Sequence, residues 1–328
     1  MQDSSKTIAF PAMKPIDTPR AARSSLPPEW FDPESSTAPT TENQIAVAPR
    51  STVKDRALLT MLTGLNAGQV YTLDQSETTL GRSKDAHVRI DDAGISRNHA
   101  RIVRTEDGRF LVEDLGSTNG IFVNGVKVER VELASADRIQ VGPNVVLRFA
   151  LLDAEEEALA RQLYDSSTKD ALTRTFNRKY LVERLGAEVA YSLRHKTPLS
   201  VIMFDLDRFK TVNDSHGHHA GDVVLRVVAA QVQRLIRTED VLARYGGEEF
   251  VVIVRGIPHA NVAVFADRIR KSVEQLLIPL ADLRLRASLS LGVASLSECG
   301  ETSLDALLQL ADERLYKAKV TGRNRVVS

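Results

Sequence analysis

The chain has 328 residues, and its 43 lysines and arginines are cancelled by 43 aspartates and glutamates. That length suits two ordinary domains, and the even balance, without a local Lys/Arg tract, gives no reason to expect a nucleic-acid partner or a membrane surface. Cys299 is the single cysteine, which rules out an intramolecular disulfide and fits a reducing cytoplasm; no apolar run nears the roughly 20 residues that span a bilayer, and Met1–Lys6 lacks the apolar core of a signal peptide.

Residues 1–56 hold eight of the 12 prolines, among Ser and Thr, with few periodic apolar positions. Such a stretch cannot bury enough apolar surface to offset its ordering entropy, so it reads as a disordered tail.

From 57 to 150 the pattern is short and alternating. Leu58–Leu62, Gln69–Leu73, His87–Ile90, Ala100–Val103, Phe110–Glu113 and Val145–Phe149 read as strands separated by Gly and Asn turns, the mark of a β-sandwich. Asn124-Gly125 predicts a type I′ turn. Four landmarks fall in order along this segment: Gly81-Arg82, Ser96-Arg97-Asn98-His99, Gly116-Ser117-Thr118-Asn119-Gly120 and Asn124-Gly125. The segment resembles the forkhead-associated (FHA) domain, a phosphothreonine-binding β-sandwich. The resemblance implies phosphothreonine contacts from Arg82, Ser96 and Thr118, with Arg97 and Asn119 beside them and His99 buttressing the loops. An arginine, hydroxyls and backbone donors on loops of a rigid scaffold suit phosphate chemically. The ligand would be a phosphothreonine peptide, from the chain's own tail or from another protein.

Residues 151–168 change to helical composition, with Leu152, Leu159 and Leu163 near one face. A helix this short is a weak coiled coil alone, but it could form a dimer seam between supporting domains.

From 169 to 328 helix and strand alternate. Helices are expected near 178–194, 221–236, 261–277 and 304–319, and strands at 199–204, 241–245, 250–254 and 283–295. The layout is α/β, with helices covering a sheet. Two acidic segments carry the chemistry: Phe204-Asp205-Leu206-Asp207-Arg208-Phe209-Lys210, and Arg244-Tyr245-Gly246-Gly247-Glu248-Glu249-Phe250. The first ends a buried strand, and the second is a hairpin turning at its glycines. Carboxylates on rigid elements suit hard divalent cations, which take oxygen ligands and pair with phosphates.

These segments resemble the signature of GGDEF-domain diguanylate cyclases in its GGEEF spelling. Asp170–Arg178, Asn213–His218 with Gly221-Asp222, and Ala311–Lys319 followed by Gly322-Arg323-Asn324 resemble the family's other motifs in the same order. The resemblance implies a cyclase-like fold with a ferredoxin-like core, and the joining of two GTP molecules into cyclic di-GMP with release of pyrophosphate. It implies Mg²⁺ or Mn²⁺ held by Asp205, the Leu206 carbonyl and Glu248, with Glu249 close to the reacting groups. Asn213 and Asp222 would contact guanine, His218 would lie near the nucleotide, and Lys210, Lys319 and Arg323 would meet phosphates. Arg237-Thr-Glu-Asp240, six residues before Gly246, matches the family's inhibitory motif for product, with Arg268 as a further arginine. Catalysis would need a homodimer, each chain presenting one GTP. The alternatives are a non-catalytic cyclic di-GMP receptor and a phosphothreonine adaptor; the intact acidic motifs and Lys210 speak against both.

Overall fold

The computed structural model describes residues 53–64, 66–280 and 283–328. The expected disordered tail lies, up to residue 52, outside the described residues. Its last residues belong to the folded unit instead: Lys54 ion-pairs with Glu156 at 3.0 Å, and the first strand opens at Arg56.

The N-terminal half is a β-sandwich, as its alternating pattern requires. Its strands are β1 (Arg56–Met61), β2 (Val70–Thr72), β3 (Glu77–Gly81), β4 (Val88–Arg89), β5 (Ala100–Arg104), β6 (Phe110–Asp114), β7 (Ile121–Val123), β8 (Val126–Val128), β9 (Arg130–Glu132), β10 (Arg138–Val141) and β11 (Val145–Leu152). One sheet runs β2-β1-β11-β10-β7-β8 and the other β4-β3-β5-β6-β9. Leu59, Ile121, Ile139 and Leu147 of the first meet Leu80, Ile102, Phe110 and Val112 of the second in one apolar core. Asn124 and Gly125 link β7 to β8 with φ of 51° and 83°, the positive pair that a type I′ turn needs.

The connecting helix α1 spans Ala154–Thr168, not all of 151–168. Leu151 and Leu152 finish β11, so Leu152 does not share a helical face with Leu159 and Leu163. Asp153 stops the strand and starts the helix, because its carboxylate caps the amides of Glu155 and Glu156 while Glu156 reaches back. The helix lies on the sandwich, where Thr72 Oγ1 donates to Glu157 at 3.1 Å.

The C-terminal half contains α2 (Arg178–His195), β12 (Leu199–Leu206), α3 (Phe209–His216), α4 (His218–Leu235), β13 (Val241–Gly246), β14 (Glu249–Arg255), α5 (His259–Glu274), β15 (Ile278–Leu280), β16 (Leu283–Leu285), β17 (Leu289–Ser295), α6 (Leu304–Val320) and β18 (Val326–Val327). The sheet order is β13-β14-β12-β17-β18. The first four strands are antiparallel neighbours joined β-α-β-β-α-β, which is the ferredoxin-like core, and β18 joins β17 in parallel.

The expected strand over 283–295 is two strands. Leu283–Leu285 turns back on Ile278–Leu280 as a separate hairpin, while Leu289–Ser295 is buried throughout in the main sheet. An alternating edge piece and a wholly covered piece look continuous when only apolar spacing is read. The helix expected from Gly221 begins at His218, and the short α3 precedes it.

Both faces of this sheet are covered, so β12 is buried from end to end. Ile202, Phe204 and Leu206 face α4 and α5. Leu199, Val201 and Met203 face α2 and α6. Period-two alternation then puts Asp205 on the α2/α6 side.

Candidate active site and ligand sites

Asp205 lies opposite Glu249 in the β12–β14 register. Gly247, at φ 49°, turns the chain between β13 and β14 and leaves Glu248 at the tip. Asp205 is 6% exposed, and Lys319 from α6 sits on it, Nζ to Oδ2, at 2.8 Å. Burial raises the Asp205 carboxyl above its usual range against the pull of Lys319. Glu248 and Glu249 are raised as well, first by burial and then by the charge of Asp205. A cation beside three neighbouring carboxylates favours their charged forms. Lys319 supplies one, and the field of Arg323 reaches Asp205 too.

Among the described residues, no group of three or more His, Cys, Asp and Glu side chains is arranged to hold a metal ion by itself. The donors fit a hard cation that keeps water and phosphate in its shell: two carboxylates, Asp205 and Glu248, beside the end of β12 at Leu206.

Two braces of this site escaped the sequence reading. Arg244 donates from Nε and Nη2 to the Gly247 carbonyl at 2.9 and 2.7 Å, and from Nη1 to Asp170 at 3.1 Å. Asp170 is fixed in turn by the amide and hydroxyl of Thr173, at 2.8 and 2.7 Å. Thr173 and Arg244 outweigh burial and hold the Asp170 carboxyl below its ordinary value. The second brace is Asp207, which accepts from Ser288 and Ser290 at 2.7 and 2.6 Å and from the Asn324 amide at 3.0 Å. It anchors the turn that carries Arg323. The signals were present, an aspartate opening one motif and a second aspartate in another, but their partners lie far away in sequence.

Asn213 on α3 packs against Gly221 of α4. Its Oδ1 is buried with no hydrogen-bond partner among the described residues. Side-chain space at Gly221 is already taken by Asn213 and Phe209. Asp222 follows on α4 and is partly buried, while Lys210 and His218 are exposed on α3 and at the start of α4.

Arg237 and Arg268 line a separate cavity of about 310 Å³ with Ile257, Pro258, Asn261 and Phe265. Asp240 is buried, and its carboxylate accepts from the backbone amides of Arg237 at 3.0 Å and Arg255 at 3.4 Å. Burial raises its pKa. The Arg237–Asp240 pattern is therefore a folded turn and not a surface ion pair.

In the sandwich, Arg82, Ser96 and Thr118 converge. The Arg82 amide donates to the Ser96 carbonyl at 3.0 Å, and its Nε donates to Ile95 O at 3.3 Å. The Thr118 amide donates to Ser96 Oγ at 3.2 Å. Arg97 is exposed beside them, and Asn119 donates to Gly94 O at 2.8 Å, tying two loops. His99 is buried: Nδ1 accepts from the Ser96 amide at 3.0 Å and Nε2 faces Gly120 O at 3.1 Å. It therefore ties the loop of Ser96 to the loop of Gly120.

Among the described residues no helix is long and apolar enough to cross a membrane. Comparison with known proteins agrees with this geometry. Residues 167–325 match the family model described as diguanylate cyclase, GGDEF domain, and residues 78–142 match the FHA domain. Diguanylate cyclase DosC of Escherichia coli K12 is 37% identical over 174 residues, covering 51% of this chain and 37% of that protein. Diguanylate cyclase A of Treponema denticola is 38% identical over 169 residues, covering 50% of this chain and 45% of that protein. The chain thus spans less than half the length of either relative. The coiled coil and GGDEF domain of DgcB from Caulobacter crescentus, solved in complex with c-di-GMP, is 31% identical, with 53% of this chain and 93% of that chain covered at a TM-score of 0.49. The chain therefore carries a GGDEF domain of the diguanylate cyclase family at residues 167–325 and an FHA domain at residues 78–142.

Proposed function

We propose that this protein is a diguanylate cyclase that makes cyclic di-GMP and pyrophosphate from two GTP. The observation that carries the reading is the cluster of Asp205, Glu248 and Glu249, raised by burial and mutual charge and met by Lys319 and Arg323. The relatives' names point the same way. The reaction is attack of a ribose 3′-hydroxyl on the α-phosphate of a second GTP, so positioning and charge neutralisation matter more than covalent help. Mg²⁺ or Mn²⁺ on Asp205, Glu248 and the Leu206 carbonyl would supply that neutralisation. Lys319, Arg323 and Lys210 bind phosphate oxygens. Asn213 Oδ1, a buried acceptor without a donor, accepts a hydrogen bond from the guanine edge, Asp222 accepts another, and His218 flanks the nucleotide. Glu249 stands beside the reacting groups.

Each GGDEF domain presents one GTP, so two chains must face each other. Leu159 and Leu163 of α1, 57% and 61% exposed, form a seam on which they can pair. Cyclic di-GMP at Arg237, Asp240 and Arg268 inhibits. A phosphothreonine at Arg82, Ser96 and Thr118, flanked by Arg97 and Asn119, makes the output responsive to a kinase. That phosphothreonine comes from another protein or from the chain's own N-terminal residues.

The test is nucleotide analysis after incubating the protein with GTP and Mg²⁺. Cyclic di-GMP should accumulate with the wild type and be lost in Glu248→Gln, by more than about a hundredfold, because a metal contact contributes several kcal/mol at the transition state. Turnover by a folded Glu248→Gln protein at the wild-type rate would refute the assignment.

A further inference from the structure

A ring of four charges joins the FHA domain to the GGDEF domain. Arg184 donates to Glu188 at 2.6 Å, both on α2. Arg255, at the end of β14, donates from Nε to Glu188 at 2.9 Å. Its Nη1 pairs with Asp91 of the FHA domain, and Asp91 lies 3.9 Å from Arg184. Glu188 is buried, and the two guanidiniums are largely covered. Without Asp91 the GGDEF domain would hold two arginines against one glutamate. Within this ring, a carboxylate on the FHA domain completes the pairing.

This seam reaches the turn that carries Arg237 and Asp240. The Arg255 amide donates to the Asp240 carboxylate, and Arg89 of the FHA domain lies 4.0 Å from Glu239. At its other end the loop that begins at Asp91 becomes Ser96 and Arg97, the phosphate-facing residues. The seam is also open and imperfectly satisfied. A cavity of about 220 Å³ lies between Arg89, Asp91, Glu188, Tyr191, Glu239 and Arg255. Arg89 and Arg184 each keep a buried Nε–H without an acceptor among the described residues. An interface made of charges, water space and unmet donors can part and re-form more readily than an apolar one.

We propose that Asp91 is a built-in ligand for the Arg184–Arg255 pair, and that the FHA domain, docked through it, clamps the Arg237–Asp240 turn and sets its affinity for cyclic di-GMP. The second half rests on reading that turn as the product site. The experiment is hydrogen exchange on the full chain, comparing wild type, Asp91→Asn, Arg255→Gln, the double variant and Asp91→Glu. Exchange in peptides covering 237–242 should rise about tenfold in either single variant, since local opening there loses its brace. The double variant should lose less than the sum of the two single ones, because both remove the Asp91–Arg255 contact, and only Arg255→Gln also gives up Glu188. Asp91→Glu, which keeps the charge, should restore most of the protection. Unchanged exchange in Asp91→Asn, or additive losses in the double variant, overturns the clamp. Titration with cyclic di-GMP separates the two halves. A dissociation constant shifted at least about threefold by Asp91→Asn supports control of the site, and an equal constant overturns it. If cyclic di-GMP binds neither protein, the reading of the turn as product site fails, and the exchange data still decide the clamp.

Discussion

Asn213 and Gly221 show how much one missing atom can matter. Gly221 lies inside α4, where alanine would favour the helix by about 1 kcal/mol. A Cβ there would collide with the Asn213 carboxamide and the Phe209 ring. Gly221→Ala should therefore turn Asn213 away from the guanine edge that it is proposed to read. Losing one such hydrogen bond should raise KM for GTP about tenfold, while Asp205, Glu248 and Glu249 are untouched. Steady-state kinetics on the folded variant checks this; an unchanged KM means that Asn213 does not read the base. Arg244 makes the same point from the other side. In sequence it is one more cation, but in the fold it grips both Gly247 and Asp170, and so sets where Glu248 points.

Helix α6 owes its placement to polar contacts as much as to its apolar face. Leu307, Leu308, Ala311 and Leu315 pack on the sheet, which brings Lys319 to Asp205. Arg314 locks the helix in register, donating to Val293 O at 2.7 Å and to both oxygens of Glu298 at 2.9 and 2.8 Å. The Arg314 pair, with the Ser295 amide, holds the Glu298 carboxyl below its ordinary value of 4.5. A depressed carboxylate stabilises the fold above its unfolded value, and that contribution disappears as pH falls through the lower folded value. Glu298→Gln should therefore cost about 2 kcal/mol at neutral pH, in the range of charge-assisted hydrogen bonds to a largely covered partner. The deficit should close as the pH drops below 4.5. Denaturant unfolding across that range measures it, and a deficit that persists in acid would assign the loss to packing instead.

At the level of the molecule, the two halves are joined by a covalent connector, α1, and by a charged seam centred on Asp91 and Arg255. The proposed product site belongs at this level, because Arg237 follows α4, Arg268 lies within α5 and Asp240 leans on Arg255. Arg237→Ala should weaken cyclic di-GMP binding and relieve inhibition without lowering the initial rate, since the Asp205–Glu248 cluster lies elsewhere. Progress curves with added cyclic di-GMP check it; an inhibition curve equal to that of the wild type would leave the turn a structural feature only.

Much of this protein is set by local sequence. Alternating apolar positions specify the sandwich strands, the Asn124-Gly125 pair specifies its turn, and the glycines at 246 and 247 specify the hairpin, because these depend on backbone preferences a few residues wide. The acids were legible as a group for the same reason, each tied to a strand end or a turn. Tertiary structure alone decided what each acid meets. Period two states that Asp205 and Met203 share a face, but not that α6 covers it or that Lys319 arrives there. The unbroken apolar spacing from Leu283 to Ser295 hid a hairpin and a central strand. Arg244 with Asp170 and Asp91 with Arg255 are contacts between residues 74 and 164 positions apart. Nothing near a charged side chain in sequence records such a partner, because the energy of the pair exists only after the apolar faces have packed and excluded water around it.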